Sequence, residues 1–96
     1  MNLAELLKEK REEILHIAGK HGVDKIRVFG SAARGDDTAE SDIDFLIEVK
    51  GPTTPWFPGG LVADLEKLLG RHVSVIEPAV LREPLRNRII QEAVPL

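Results

Sequence analysis

The chain has 96 residues, of which 43% are apolar, and a formal net charge of −3. That length suffices for one small domain, residues 1–96. The chain has no cysteine, which is consistent with a cytoplasmic globular protein. No apolar stretch approaches the ~20 residues that span a bilayer, and there is no long basic cluster. We therefore expect a protein that binds neither membranes nor nucleic acid directly.

The first third of the chain predicts a helix followed by a strand. Asn2 and Glu5 have the spacing of a capping box, and apolar residues then recur at helical spacing, so we expect an amphipathic helix over residues 3–19. Gly22 is suited to the turn after this helix. Residues 25–29 predict the first strand.

The remainder predicts alternating helices and strands. Residues 51–60 contain three prolines and three glycines, which predicts a surface loop rather than a domain boundary. We expect a small α/β (α+β) domain with a mixed sheet of three to four strands packed on helices. The predicted elements after the first strand are a short helix at 31–34, a polar loop at 35–41, a strand at 42–49, a leucine-rich helix that begins near Leu61 and ends at Gly70, a strand at 72–76, and a final helix with Pro84 in its first turn.

A candidate site lies in the segment FGSAARGDDTAESDIDF, residues 29–45. Residues i and i+2 of a strand point to the same side, so Asp42 and Asp44 are expected to project together and to repel each other unless a cation lies between them. Two carboxylates on a rigid strand make a plausible Mg²⁺ site that substrate phosphates and water complete. Gly30 allows a close approach of the backbone to a ligand, and Ser31 supplies a hydroxyl for phosphate.

The run GSAARGDDTAESDIDFLIEV resembles the signature of the minimal nucleotidyltransferases, small members of the polymerase-beta-like nucleotidyltransferase superfamily. The matching positions are Gly30, Ser31, Arg34, Gly35, Ser41, Asp42 and Asp44. The resemblance implies the nucleotidyltransferase fold and binding of MgATP, with Asp42 and Asp44 as metal-binding catalytic residues and Gly30 and Ser31 on the triphosphate. Chains of this kind resemble antitoxins whose partner is a helical HEPN ribonuclease toxin, and which silence it by transferring AMP to a toxin tyrosine.

The third carboxylate of the superfamily is missing from its expected position. The family's LGRxVDLV pattern is matched here by LGRHVSVI, so Ser74 stands where aspartate is expected. A neutral hydroxyl neither holds the second metal well nor takes the proton of the nucleophile. Glu77 has the wrong strand parity, and Glu48 lies about 13 Å along the strand from Asp44 at ~3.3 Å per residue.

Three functions therefore remain open: a HEPN-toxin antitoxin with adenylyltransferase activity, an antitoxin that neutralises its partner by binding alone, and a small-molecule nucleotidyltransferase, which would need an additional substrate domain. In the first two, a domain this small is expected to form a hetero-oligomer or a homo-oligomer.

Several other residues have two interpretations. Arg34 either reaches nucleotide phosphates or pairs with Asp36 or Asp37, and Ser41 either caps the loop or supports the metal ligands.

Trp56 and Phe57 are either hydrophobic staples for the next helix or exposed anchors for a partner. The histidines His16, His21 and His72 are expected at the surface or at helix ends, and Arg82, Arg86 and Arg88 form either a solvated helix face or a basic face for an acidic partner or ATP.

Overall fold

The computed structural model describes residues 2–36, 38 and 40–96. These residues form five α-helices, one 3-10 turn and four β-strands. The elements are α1 (Leu3–Glu9), α2 (Arg11–Lys20), β1 (Val23–Phe29), α3 (Ser31–Arg34), β2 (Ile43–Val49), α4 (Gly59–Leu69), β3 (Val73–Ile76), the 3-10 turn (Pro78–Val80), α5 (Leu85–Glu92) and β4 (Val94–Pro95).

The N-terminal segment forms two helices, where the sequence predicts one. Asn2 caps α1 by accepting a 2.8 Å hydrogen bond from the backbone N–H of Glu5, as the capping-box spacing predicts. The helix then breaks at Lys10, whose φ of −95° and ψ of 7° are not helical. No proline or glycine marks this position, so the break has no local sequence signal. It accompanies burial of Leu3 and Leu7 from α1 in the same core as Ile14 and Ala18 from α2.

The four strands form one mixed sheet in the order β3-β2-β1-β4. The pair β1–β2 is antiparallel, and β2–β3 is parallel because α4 makes the crossover between them. The predicted small mixed sheet packed on helices is therefore confirmed. The fourth strand, β4, is only two residues long and pairs antiparallel with Arg27 and Val28 of β1.

The two faces of the sheet carry different layers. Alternate residues of β1 and β2, including Val28, Ile43 and Phe45, pack into the main core with α1, α2 and α4. The opposite face holds a smaller cluster in which Phe29 and Leu46 pack with Ile89 of α5. Asp44 shares this second face because it is two residues before Leu46. Within the described part of the chain, no helix is long and apolar enough to cross a membrane.

Candidate functional site

The two predicted metal ligands lie at the beginning of β2, an interior strand. Asp42 is exposed and immediately precedes the strand, which starts at Ile43 rather than at the predicted residue 42. Asp44 is half-buried and lies opposite Phe29 of β1 on one side and Ser74 of β3 on the other. The sheet thus holds the Asp44 backbone on both sides.

The electrostatics of this pair favour a cation. Desolvation raises the pKa of Asp44 above its ordinary value, and the neighbouring charge of Asp42 raises it further, whereas Arg34 lowers it. Charge at Asp44 is therefore costly without a positive partner. Among the described residues, no group of three or more His, Cys, Asp and Glu could hold a metal ion. The carboxylate pair fits Mg²⁺ in the manner of sites that phosphate oxygens and water complete.

Gly30 makes room for the Asp44 carboxylate. Its φ of 71° and ψ of −148° lie in a region that side chains rarely allow. A Cβ at this position would stand 2.7 Å from Oδ2 of Asp44. We predicted a glycine that permits close approach of a ligand, and the structure shows that the group approaching it is the metal-ligand candidate itself. The glycine turn and the carboxylate are therefore one geometric unit.

Ser31 begins the short helix α3, which ends at Arg34 and Gly35. Its carbonyl accepts hydrogen bonds from the backbone N–H groups of Gly35 at 2.9 Å and Asp36 at 3.2 Å, which close the turn. The side chain of Ser31 is half-buried. Its assignment to the triphosphate, like that of Gly30, stays a prediction.

Arg34 is held by two carboxylates. Its Nε donates to Oδ2 of Asp36 at 3.1 Å, and its Nη1 donates to Oε1 of Glu92 at 2.6 Å. These contacts raise the pKa of Arg34, with Asp36 contributing most. The pairing with Asp36 was one of the two predicted roles, while the alternative partner Asp37 lies outside the described residues. Glu92, at the end of α5, is 58 residues away in sequence and was not foreseen.

Ser74 lies directly beside Asp44 in the parallel pair β2–β3. Residues in register on neighbouring strands project from the same face, so Ser74 occupies the position next to Asp44 that a third carboxylate would use. Neither candidate substitute is placed to replace it. Glu48 accepts a 2.7 Å bond from Arg27, and Glu77 lies beyond the end of β3.

Arg71, in the LGR motif, holds the loop that leads into Asp42. Its Nη2 donates to the carbonyl oxygens of Thr38 and Ser41, both at 2.6 Å. Ser41 has the predicted capping role, because its hydroxyl accepts a 2.8 Å bond from the backbone N–H of Thr38. Sequence reasoning missed Arg71 although its motif was recognised, since the loop carbonyls that it binds could be identified only from the fold.

His21 lies at a helix end, one of the two positions expected for the histidines, and it is also buried. It caps the C-terminus of α2, as predicted, but it is only 5% exposed. Its Nε2 donates to Oδ2 of Asp64 at 2.7 Å, and in this tautomer its Nδ1 accepts from the hydroxyl of Thr54 at 2.6 Å. The hydrogen bond from Nε2 of His21 lowers the pKa of Asp64. His21 thus fastens the 51–60 loop to α4.

The two aromatic residues of this loop differ in burial, and the role of Trp56 as a partner anchor stays a prediction. Phe57 is partly buried and packs against the main core, as a hydrophobic staple would. Trp56 is 90% exposed, and its φ of 66° is in the left-handed region.

Comparison with known proteins settles the family. Residues 7–96 match the nucleotidyltransferase domain family. The chain belongs to this family. It is 35% identical over 92% of its length to a candidate protein adenylyltransferase of Methanocaldococcus jannaschii, MJ0435, covering 95% of that protein. It is 30% identical to the protein adenylyltransferase MntA of Thermococcus cleftensis, with coverage of 96% of this chain and 98% of the relative. This membership supports transferase activity and confirms the resemblance drawn from the GSAARG…SDID motif.

Solved structures show the same fold. A candidate minimal nucleotidyltransferase superposes with a TM-score of 0.86 at 38% identity, over 100% of this chain and 97% of the other. A toxin–antitoxin structure with AMP-PNP gives a TM-score of 0.72 at 17% identity, over 88% of this chain and 69% of the other, which is a likeness of fold alone.

Proposed function

We propose that this chain is an adenylyltransferase antitoxin that binds MgATP at Asp42 and Asp44 and transfers AMP to a tyrosine of a HEPN-type toxin. The observation that carries the proposal is the contact between the Gly30 turn and the desolvated Asp44 carboxylate, beside Asp42. Support for a protein acceptor comes from the adenylyltransferase relatives. Support for ATP and a toxin comes from the fold neighbour described as a toxin–antitoxin with AMP-PNP.

The proposed reaction forms a bond between the tyrosine oxygen and the α-phosphorus of ATP. The bond from that phosphorus to the oxygen bridging the α- and β-phosphates breaks, pyrophosphate leaves, and the hydroxyl proton passes to water. Mg²⁺ bound by the carboxylates would neutralise charge on the phosphates. Asp42 and Asp44 hold the metal, and Gly30 and Ser31 position the triphosphate.

A second candidate function is neutralisation by binding alone, and the position of Ser74 favours it. Ser74 is in register with Asp44, where a third carboxylate would help to activate the nucleophile. Binding of metal and nucleotide depends mainly on Asp42 and Asp44, so it is less sensitive to this serine than the transfer step is.

The test uses α-labelled ATP, Mg²⁺, the purified chain and the protein encoded beside it. We expect label on the neighbouring protein with the native chain, and none with Asp44→Ala. Asp24→Ala, at an exposed aspartate on β1, is the matched control and should transfer normally. Tight binding without label would instead establish the binding-only function.

Ser74→Asp separates the two functions further. We expect the added carboxylate to increase the transfer rate by at least ~10-fold, a conservative figure beside the ~10²–10⁴-fold that a well-positioned base usually contributes. An unchanged rate in a variant that still binds the nucleotide would show that Ser74 does not limit transfer.

A further inference from the structure

The exposed side of α5 has a composition unlike the rest of this acidic chain. Between residues 82 and 91 there are three arginines and one glutamate, whereas the whole chain has a net charge of −3. Leu85 is 50% exposed here. A shallow concavity of about 380 Å³ is lined by Pro84, Leu85, Asn87, Arg88 and Gln91. We call these five residues together with Arg82 the α5 surface.

The α5 surface is next to the candidate site. Ile89, on the inner side of the helix, packs against Phe29 and Leu46. Phe29 lies opposite Asp44 on β1, and Leu46 is two residues after Asp44 on β2. At the end of the same helix, Glu92 binds Arg34. A macromolecule that brings a hydroxyl group to the carboxylates from this face of the sheet can therefore contact α5 as well.

We infer that the α5 surface docks an acidic, partly apolar surface of the protein that accepts AMP; this inference rests on the proposed function. Arg82 and Arg88 are exposed and have no ionic partner among the described residues, whereas Arg86 is engaged with Glu83 and with the carbonyl of Pro78. Free guanidinium groups around an exposed leucine fit a protein interface, because arginine is enriched there and the buried centre of an interface is more apolar than its rim. Carboxylates on the partner would accelerate association and orient the acceptor hydroxyl towards Asp44.

The sequence left three interpretations of Arg82, Arg86 and Arg88: a solvated helix face, a face that binds an acidic partner, or a face that binds ATP. Position decides between the last two. Arg34 lies in α3, directly after the Gly30 turn that approaches Asp44, whereas Arg82 and Arg88 lie at the exposed surface of α5. The α5 surface therefore suits the acceptor protein rather than the nucleotide.

The experiment measures binding of the protein encoded next to this chain, at low and high salt. Arg82→Glu/Arg88→Glu should weaken binding by at least ~10-fold, mainly through slower association. Leu85→Ser should accelerate dissociation. Lys50→Glu/Lys67→Glu is the matched control, because it makes the same charge change at the far end of β2 and on α4 and should leave the affinity unchanged.

Affinity for Mg²⁺ with a nonhydrolysable ATP analogue should remain within twofold of native in both double variants. Equal acceptor binding by the native chain and the α5 variant would overturn the inference. So would a loss confined to binding of a single-stranded RNA oligonucleotide, which would assign the arginines to nucleic acid. Native binding that depends on Arg82 and Arg88 but leaves no AMP label would overturn the transferase function and keep the docking surface. AMP transfer that does not change when these arginines are replaced would overturn the docking surface and keep the transferase function.

Discussion

Replacing Gly30 by alanine should damage the site more than it damages the fold. Its φ of 71° and ψ of −148° are strongly disfavoured for alanine, and such backbone strain costs about 1–3 kcal/mol. The new Cβ would also lie 2.7 Å from Oδ2 of Asp44, so the carboxylate must move away. Because Asp44 is a short side chain on a paired strand, the displacement changes the metal-ligand geometry directly.

Gly35→Ala provides the matched control. Gly35 also has a positive φ, 79°, but a Cβ there would meet nothing within 4 Å. Its cost is the left-handed backbone penalty alone, roughly 1–2 kcal/mol. Gly30→Ala should therefore lose somewhat more stability than Gly35→Ala, and only Gly30→Ala should weaken binding of the Mg²⁺ complex of a nonhydrolysable ATP analogue, by at least ~10-fold, which is 1.4 kcal/mol.

Urea denaturation gives the stabilities, and isothermal titration calorimetry gives the affinities. For a domain of this size, 1 kcal/mol corresponds to a shift in Tm of roughly 4–8 °C, so both costs are measurable. If Gly30→Ala bound the nucleotide as well as Gly35→Ala does, the close approach to Asp44 would have no functional role.

Three further substitutions test the electrostatics and the core. Without metal, Asp44→Asn should raise Tm at neutral pH; because folding raises the pKa of Asp44, the gain should grow as pH rises through that raised value and vanish in acid, where both states are protonated. Glu92→Gln should tighten nucleotide binding several-fold in calorimetry by releasing Arg34 for phosphate; weaker binding would mean that Glu92 positions Arg34 instead. His21→Ala should cost about 1–3 kcal/mol in urea denaturation, because it removes two hydrogen bonds of a buried side chain, to Thr54 and Asp64, at ~0.5–1.5 kcal/mol each. The exposed His16→Ala on the same helix should cost little.

Local patterns predicted the parts of the fold that depend on neighbouring residues. The alternation in 42–49 placed Asp44 on one face, and the capping-box spacing at Asn2 identified the start of α1. The strand β4 escaped prediction because two residues carry no periodic signal, and its pairing with β1 depends on contacts about 67 residues apart in sequence. The break at Lys10 similarly has no local breaker and accompanies the packing of α1 and α2 in the same core.

The candidate site divides in the same way. Motif spacing proposed Gly30, Ser31, Arg34, Asp42 and Asp44 as site residues, because they lie close together in sequence. The contacts that modulate them were not visible: Glu92 reaches Arg34 from 58 residues away, and Arg71 reaches the Ser41 carbonyl from 30 residues away. Such contacts require the sheet order to be known first.

Without a ligand, two features that destabilise the folded state lie side by side at the candidate site. Gly30 holds an unusual backbone conformation there, and Asp44 bears a desolvated charge beside Asp42. A core optimised for stability alone would keep neither feature, and functional sites are where such local conflicts persist. A bound cation would offset the repulsion, and a ligand at 100 times its Kd adds about 2.7 kcal/mol to the stability of the folded state. Asp44→Asn should therefore be the more stable protein without ligand, and the native chain should be the more stable one when MgATP is saturating.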